Sequence, residues 1–327
     1  MQRFKKILCV MEHGEASKPA LERAAALAES NQAELIVFDV IPSLPAGIGI
    51  PDGGLSSRDL QASIKRQREA RLESLLEPYR QRLDVKHGLL EGNPSLAVVR
   101  EVLKKGHDLV VKCPESPTWL DRLFSGDDMH LLRMCPCPVW LVKPEDSRSY
   151  KRILAAVDVD ALYPPKELAT RHALNVKILE MAASCALSEF ADLHVVHVWE
   201  SLYESISGFV MSAAISPEKE ALALEHERRQ HQQWLDTLLR NSGSKATRDA
   251  LSYLKPQTHL IKGAARKEIP RLASRLEIDC IVMGTVARTG VRGFIMGNTA
   301  ETILGQIGCS VLAIKPEGFV TPIAPAD

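Results

Sequence analysis

The chain lacks net charge: 41 Lys and Arg stand against 41 Asp and Glu in 327 residues. That balance leaves no basic field to draw in nucleic acid or an anionic membrane. Long apolar runs are missing as well. No stretch approaches the roughly 20 residues that span a bilayer. Met1-Gln2-Arg3-Phe4 leads straight into a strand-like segment with no secretory signal. The cysteines are few and odd in number. The seven sit mostly in apolar runs such as Ile7-Leu8-Cys9-Val10 and Cys280-Ile281-Val282. This predicts reduced thiols in the core of a cytoplasmic protein and excludes a disulfide framework. Signatures of turnover are lacking too: no Ser-His-Asp order, no phosphate-loop lysine and no metal-ligand set. Cys135-Pro136-Cys137-Pro138 has no second cysteine pair to complete four zinc ligands. Its prolines predict an extended structural turn ahead of a strand.

What is present is said twice. Lys5-Lys6-Ile7-Leu8-Cys9-Val10-Met11-Glu12 opens one half, and Lys151-Arg152-Ile153-Leu154-Ala155-Ala156-Val157-Asp158 opens the other. Val139-Trp140-Leu141-Val142-Lys143-Pro144-Glu145 and Val311-Leu312-Ala313-Ile314-Lys315-Pro316-Glu317 close them. The length suits two domains of about 150 residues, and the 45% apolar content suffices for two packed cores. The expected domains are 1–145 and 151–318, with a tail at 319–327 and a short polar linker, Pro144 to Tyr150, between them.

Apolar runs predict strands at 5–11, 34–41, 84–90, 108–112 and 138–143, then at 151–157, 192–199, 257–262, 279–283 and 310–315. Helical patterns fall at 17–31, 57–81, 93–105 and 127–134, then at 167–190, 217–241, 265–277 and 298–307. Continuous apolar strands alternating with helices predict an α/β fold. Each half becomes a doubly wound parallel sheet covered on both faces. Two loops stand apart. The Gly-rich stretch 46–54 reads as a connection. Ser201 to Ser216, with several apolar residues, reads as a lid over a pocket or as a loop packed on its own domain.

The informative segment follows the fourth strand of the second half. It leaves that strand at Met283-Gly284, runs through Ala287, Arg288, Gly290 and Arg292, and enters a helix at Gly297-Asn298-Thr299. Unpaired amides at a helix start suit an anion such as phosphate. A Gly-rich turn with an ordinary helix cap explains the pattern equally well.

These segments resemble the universal stress protein family over both halves. Many members carry G-x2-G-x9-G-[S/T] after the fourth strand, where it holds the ribose and phosphates of ATP. Gly284 and Gly297 match the first and third Gly, while Ala287 replaces the second and Asn298 the Ser or Thr. The resemblance implies two tandem Rossmann-like domains, each a five-stranded parallel sheet of order 3-2-1-4-5. It also implies that Val157 and Asp158 face the base and ribose and that Gly263 lets the base lie close. The implied ligand set is therefore Val157, Asp158, Gly263, Met283, Gly284, Ala287, Arg288, Gly290, Gly297, Asn298 and Thr299. The implied ligand is ATP or a related nucleotide, with magnesium only as a companion of ATP. Family dimers pair their fifth strands, which implies here an intramolecular pseudo-dimer of the two halves and leaves room for a homodimer.

The first half is an internal control. Aligning Gly92 with Gly263 and Asp108 with Asp279 sets Cys113 under Gly284, Gly126 under Gly297 and Glu12 under Asp158. Asp127 and Asp128 then occupy the places of Asn298 and Thr299. Carboxylates there repel a phosphate, so the first half is expected to be closed to nucleotide. His197 is expected as a core or rim histidine, and His226 and His231 are poorly aligned to share a metal. The four Trp are expected as packing anchors. Three alternatives stay open: a ligand with a phosphorylated head and an apolar tail, a slow ATPase, and a ligand-free scaffold for partner proteins.

Overall fold

The computed structural model describes residues 4–12, 14–41, 43, 57–114, 126–144, 149–207, 217–285 and 296–324. Ten strands appear in chain order: β1 (Lys6–Val10), β2 (Glu34–Ile41), β3 (Val85–Glu91), β4 (Leu109–Lys112), β5 (Val139–Leu141), β6 (Arg152–Ala156), β7 (Asp192–Trp199), β8 (Gln257–Lys262), β9 (Cys280–Gly284) and β10 (Ser310–Ile314). The helices of the first repeat are α1 (Lys18–Asn31), α2 (Ser57–Arg80), α3 (Pro94–Lys105) and α4 (Asp127–Met134). Those of the second are α5 (Pro165–Glu189), α6 (Leu202–Ser207), α7 (Pro217–Asn241), α8 (Lys245–Leu254), α9 (Ala265–Arg275) and α10 (Asn298–Leu304).

The sheet order is β3-β2-β1-β4-β5-β10-β9-β6-β7-β8. Read inward from each outer edge, each half has the order 3-2-1-4-5 expected from the resemblance. All pairs within a half are parallel, and β5 meets β10 antiparallel. Trp140 faces Leu312, Val139 faces Ala313 and Leu141 faces Val311. Trp140 and Leu312 are equivalent positions of the two repeats, so a pseudo-dyad passes between them. The ladder satisfies two edges that each repeat would otherwise present to solvent.

Because the sheet is continuous, the core divides by face and not by repeat. One cluster packs α1, α2, α5, α7 and α8 on one face, and the other packs α3, α4, α9 and α10 on the opposite face. Local signals set the helix limits. Asn93 Oδ1 accepts from the Leu96 N–H at 3.1 Å, Pro94 starts α3, and Gly106 ends it at φ +68°. Ser244 caps α8, a helix the periodicity reading did not separate from its surroundings. Within the expected 201–216 loop, Leu202–Ser207 is helical, and 208–216 lies outside the described residues, as does 46–54.

The junction has a charged contact on each face. On one, Arg23 of α1 donates to Glu189 of α5 at 2.6 Å, with its guanidinium 3.6 Å above the Tyr150 ring and 5.3 Å from Trp140. On the other, Arg133 of α4 reaches Glu301 of α10 at 2.6 Å. Arg23→Ala removes a stacked cation and strands a largely buried carboxylate. It should cost about 3 kcal/mol in urea unfolding, whereas Arg228→Ala, on the exposed face of α7, should change stability by less than about 0.5 kcal/mol.

Candidate functional site

At the carboxyl edge of the second repeat the strand ends run in the order β9, β6, β7, β8. Gly284 ends β9, Val157 and Asp158 follow β6, and Gly263 follows β8. Three strand spacings, about 14 Å in all, separate the first from the last. Gly263 takes φ +144°, and a Cβ there would stand 3.0 Å from Glu268 Cγ. A Cβ at Gly284 would stand 2.7 Å from Leu174 Cδ2, so this glycine lets α5 come down onto the strand end. Gly297 has open space where a Cβ would lie, and its N–H donates to the Thr285 carbonyl at 3.1 Å. That bond joins the two stems of the loop. Asn298 and Thr299 are exposed at the start of α10, while Met283 and Val157 are buried on opposite faces of the sheet. Ala287, Arg288, Gly290 and Arg292 lie outside the described residues.

Sequence reasoning missed what surrounds Asp158. Twenty-three residues separate Val10 from Glu34, and thirty-five separate Ala156 from Asp192, twelve more. The extra length appears in α5, 25 residues against 14 for α1. Arg171, Leu174 and Asn175 lie in the early turns of that longer helix. Arg171 Nη1 donates to Asp158 Oδ2 at 2.6 Å, and the Tyr163 hydroxyl donates to the same oxygen at 3.1 Å. The Arg171 guanidinium stacks 3.4 Å over the Tyr163 ring. Asn175 clamps the Asp158 backbone, accepting from its N–H at 3.0 Å and donating to its carbonyl at 2.6 Å. Burial and the Asp158 charge push the Tyr163 phenol up to about 12, so it stays a donor at neutral pH.

Behind Val157 lies a buried imidazole pair. His197 Nε2 and His231 Nδ1 are 3.0 Å apart, and His197 Nδ1 stands 3.4 Å from the Val157 carbonyl. The His231 ring lies between Trp199 and Trp234, at 5.0 and 4.9 Å. His197 is thus a core histidine, and α7 presents a buried inner face through His231, Leu235 and Leu238. Burial is the largest influence on both imidazoles and lowers both pKa values, against the opposing pull of Asp158, Asp160 and, for His231, Glu227. On the other face of β7, His194 pairs with His259 at 3.1 Å. Among the described residues no three His, Cys, Asp or Glu gather to hold a metal.

Register fixes the equivalent place in the first repeat. Val10 pairs with Lys112 as Ala156 pairs with Met283, so Lys112 holds the position of Met283. Asp108 accepts from the Lys5 and Lys6 N–H groups as Asp279 does from Lys151 and Arg152. Gly92 and Gly263 both have positive φ and donate to the ends of β2 and β7. Lys112 is fully buried, with its Nζ 2.8 Å from Glu12 Oε2 and 2.7 Å from Asp128 Oδ1. Burial alone would depress this ammonium, but Asp128 and Glu12 outweigh it and hold it above the usual lysine value. Asp127 is held by Asn93 at 2.9 Å and Ser95 at 3.2 Å. In the first repeat, side chains of the protein itself supply both signs of charge at this edge.

The universal stress protein family model matches residues 3–143 and 149–315. Universal stress protein E of Escherichia coli K12 is 28% identical over 99% of this chain and 98% of its own length. The Haemophilus influenzae homologue of that protein is 29% identical over 96% and 98%. Among solved structures, a functionally unknown protein from Pseudomonas aeruginosa PAO1 superposes with TM-score 0.63 at 26% identity, covering 97% of this chain and 94% of its own. A universal stress protein from Archaeoglobus fulgidus gives TM-score 0.57 at 16% identity over 95% and 96%, a likeness of fold.

Two outcomes follow from these clusters. Lys112→Met leaves two carboxylates facing each other in a buried place and should cost about 3–5 kcal/mol. Adding Glu12→Gln and Asp128→Thr should restore most of that loss, as read by urea denaturation. The paired imidazoles stay neutral in the fold but accept protons once unfolded. Their contribution is complete above the ordinary histidine value of 6.5 and is lost as pH falls through and below it. The urea midpoint should therefore fall between about pH 7 and about pH 5, and His231→Gln should flatten that slope.

Proposed function

This chain belongs to the universal stress protein family, and we propose from that premise that it is a binding protein whose second repeat holds ATP or a related nucleotide. The base and ribose lie along the edge from Gly263 to Val157 and Asp158. The phosphates lie towards Gly284 and Gly297-Asn298-Thr299, with Ala287, Arg288 and Gly290 on the loop between. Met283 supports the edge from below. Magnesium arrives with the phosphates. In this reading residues 1–145 form a closed domain, 151–318 the binding domain, and 319–327 a tail. The setting is cytoplasmic, in keeping with seven thiols outside any disulfide.

One observation carries the reading: the contrast between the buried Lys112–Glu12–Asp128 cluster and the open, uncharged Gly297-Asn298-Thr299 start at the equivalent place. A nucleotide in the first repeat would have to displace a saturated ion cluster. In the second it needs only backbone amides and an exposed amide side chain. The Arg171–Asp158 pair adds a requirement, since a ribose hydroxyl bonding Asp158 must share that carboxylate with Arg171 and Tyr163.

Calorimetric titration with ATP in magnesium should show one site per chain. Asn298→Asp places a carboxylate beside the phosphates, a repulsion of about 1–4 kcal/mol, and should weaken binding at least about fivefold. A stoichiometry of two, or an unchanged affinity in Asn298→Asp, would overturn the assignment.

A further inference from the structure

Cys135 and Cys137 flank Pro136 between α4 and β5, with their Sγ atoms 3.5 Å apart. Cys135 ends α4 in an extended conformation, φ −66° and ψ 127°, as a residue before proline should. Cys135 is wholly buried, and Cys137 retains 8% exposure. Among the described residues no third ligand joins them in a metal set. Two sulfurs this close, on residues two apart in a restrained segment, need to approach by only about 1.5 Å to bond.

A buried cation from the other repeat sits at the end of α4. Lys315 follows β10, and its buried Nζ donates to the Leu132 carbonyl, to the Arg133 carbonyl at 3.4 Å and to Thr285 Oγ1 at 2.9 Å. It thereby bolts the end of α4 to the stem of the second repeat's loop. Burial lowers this ammonium to about 8, while the two sulfurs act in the opposite direction. Burial also works to raise the Cys135 thiol. Hydrogen bonds from the Cys137 side chain and N–H, together with the Lys315 charge, outweigh it and leave Cys135 below the ordinary thiol value. The same sulfur–sulfur hydrogen bond, with burial, pushes Cys137 up. Cys9, by contrast, is raised far above the ordinary value by burial and by Cys113, and such a thiol is inert.

We propose that Cys135 and Cys137 form a dithiol that a small hydroperoxide oxidises to an intramolecular disulfide, with the Lys315 ammonium, held on the carbonyls of Leu132 and Arg133, as the positive charge at that end of α4. The Cys135 thiolate attacks the terminal peroxide oxygen. The O–O bond breaks, the departing oxygen takes a proton and leaves as water or an alcohol, and Cys135 becomes a sulfenic acid. The Cys137 sulfur then loses its proton and attacks Cys135 Sγ. The S–S bond forms, the S–O bond breaks, and a second oxygen leaves as water. Two thiols thus give two electrons to one peroxide, and an external dithiol reverses the change. Burial restricts the oxidant to one as small as hydrogen peroxide. The inference stands apart from the nucleotide reading, because it concerns only the pair and its lysine.

The full-length protein is treated with hydrogen peroxide, blocked with an alkylating agent, digested and weighed by mass spectrometry. The peptide carrying both cysteines should lose two hydrogens and take up no alkyl group. Lys315→Met should slow this by roughly tenfold, the equivalent of one pKa unit, while Lys315→Arg should retain the wild-type rate within about threefold. Cys137→Ser should stop at a Cys135 sulfenic acid captured by dimedone, a readout that does not depend on how well the Lys315 variants fold. Recovery of a doubly alkylated peptide while other cysteines are oxidised would overturn the proposal. So would the absence of dimedone capture in Cys137→Ser.

Discussion

The antiparallel contact of β5 with β10 is the constraint from which the rest of the architecture follows. A five-stranded parallel sheet of order 3-2-1-4-5 ends on its fifth strand, and that edge bears unpaired amides and carbonyls. Three facing pairs centred on Trp140 and Leu312 close both edges at once. Closing them makes the sheet continuous, and a continuous sheet has two faces to cover. Each hydrophobic cluster therefore crosses the repeat boundary, and each face gains its own charged tie, Arg23 to Glu189 and Arg133 to Glu301. Lys315 adds a third connection, since its ammonium ends a helix of the first repeat while its chain belongs to the second.

Once the halves share one sheet, they are free to differ at its outer rims. The difference is concentrated at one place. Four positions that register makes equivalent hold Glu12, Lys112, Cys113 and Asp128 in one repeat and Asp158, Met283, Gly284 and Thr299 in the other. Gly284 is tied to the longer α5, because Leu174 occupies the space a Cβ would need. Insertion and glycine thus belong together: the extra turns of α5 reach over the strand end only where the strand end has no side chain. In the first repeat the helix is short, Cys113 stands at that point, and the cluster is completed from within by Lys112.

Eight of the ten strands among the described residues were legible because they are mostly buried and appear as apolar runs; β3 and β8, at the ends of the sheet, are half-exposed and carry polar residues. Their expected limits fall within one or two residues of those found. The order 3-2-1-4-5 followed from the resemblance and was borne out by the pairing. Helix α8 was not legible by periodicity alone. It is ten residues long and begins directly after Asn241-Ser242-Gly243, where a helix stop and a helix start adjoin. The cap signal at Ser244 was the available clue. The partners of Asp158 were hidden for a different reason. Arg171 and Asn175 lie 13 and 17 positions away on a helix, and no local pattern marks which turn of that helix crosses the strand end. The mismatch in length between the 17–31 and 167–190 helical stretches was the visible trace. Lys112 was visible once Cys113 was set against Gly284, since the preceding residue must then oppose Met283. Its burial was not, because a lysine at a strand end usually reaches solvent.

That burial bears on why the first repeat keeps charge where an apolar plug would serve. Replacing a buried ion cluster with well-packed apolar residues is often neutral or stabilising, so stability alone does not explain Lys112. What a charged cluster adds is exclusivity. Methionine at this position, as in the second repeat, leaves Glu12 and Asp128 without a counter-charge and invites an outside cation or a rearranged edge. Lysine supplies that counter-charge from inside, with no room for exchange. The carboxylates in turn hold the lysine charged despite its burial, and each member is affordable only in the presence of the others. A duplicated edge can be filled by its own side chains, as the first repeat shows, while the second repeat leaves the start of α10 open and uncharged.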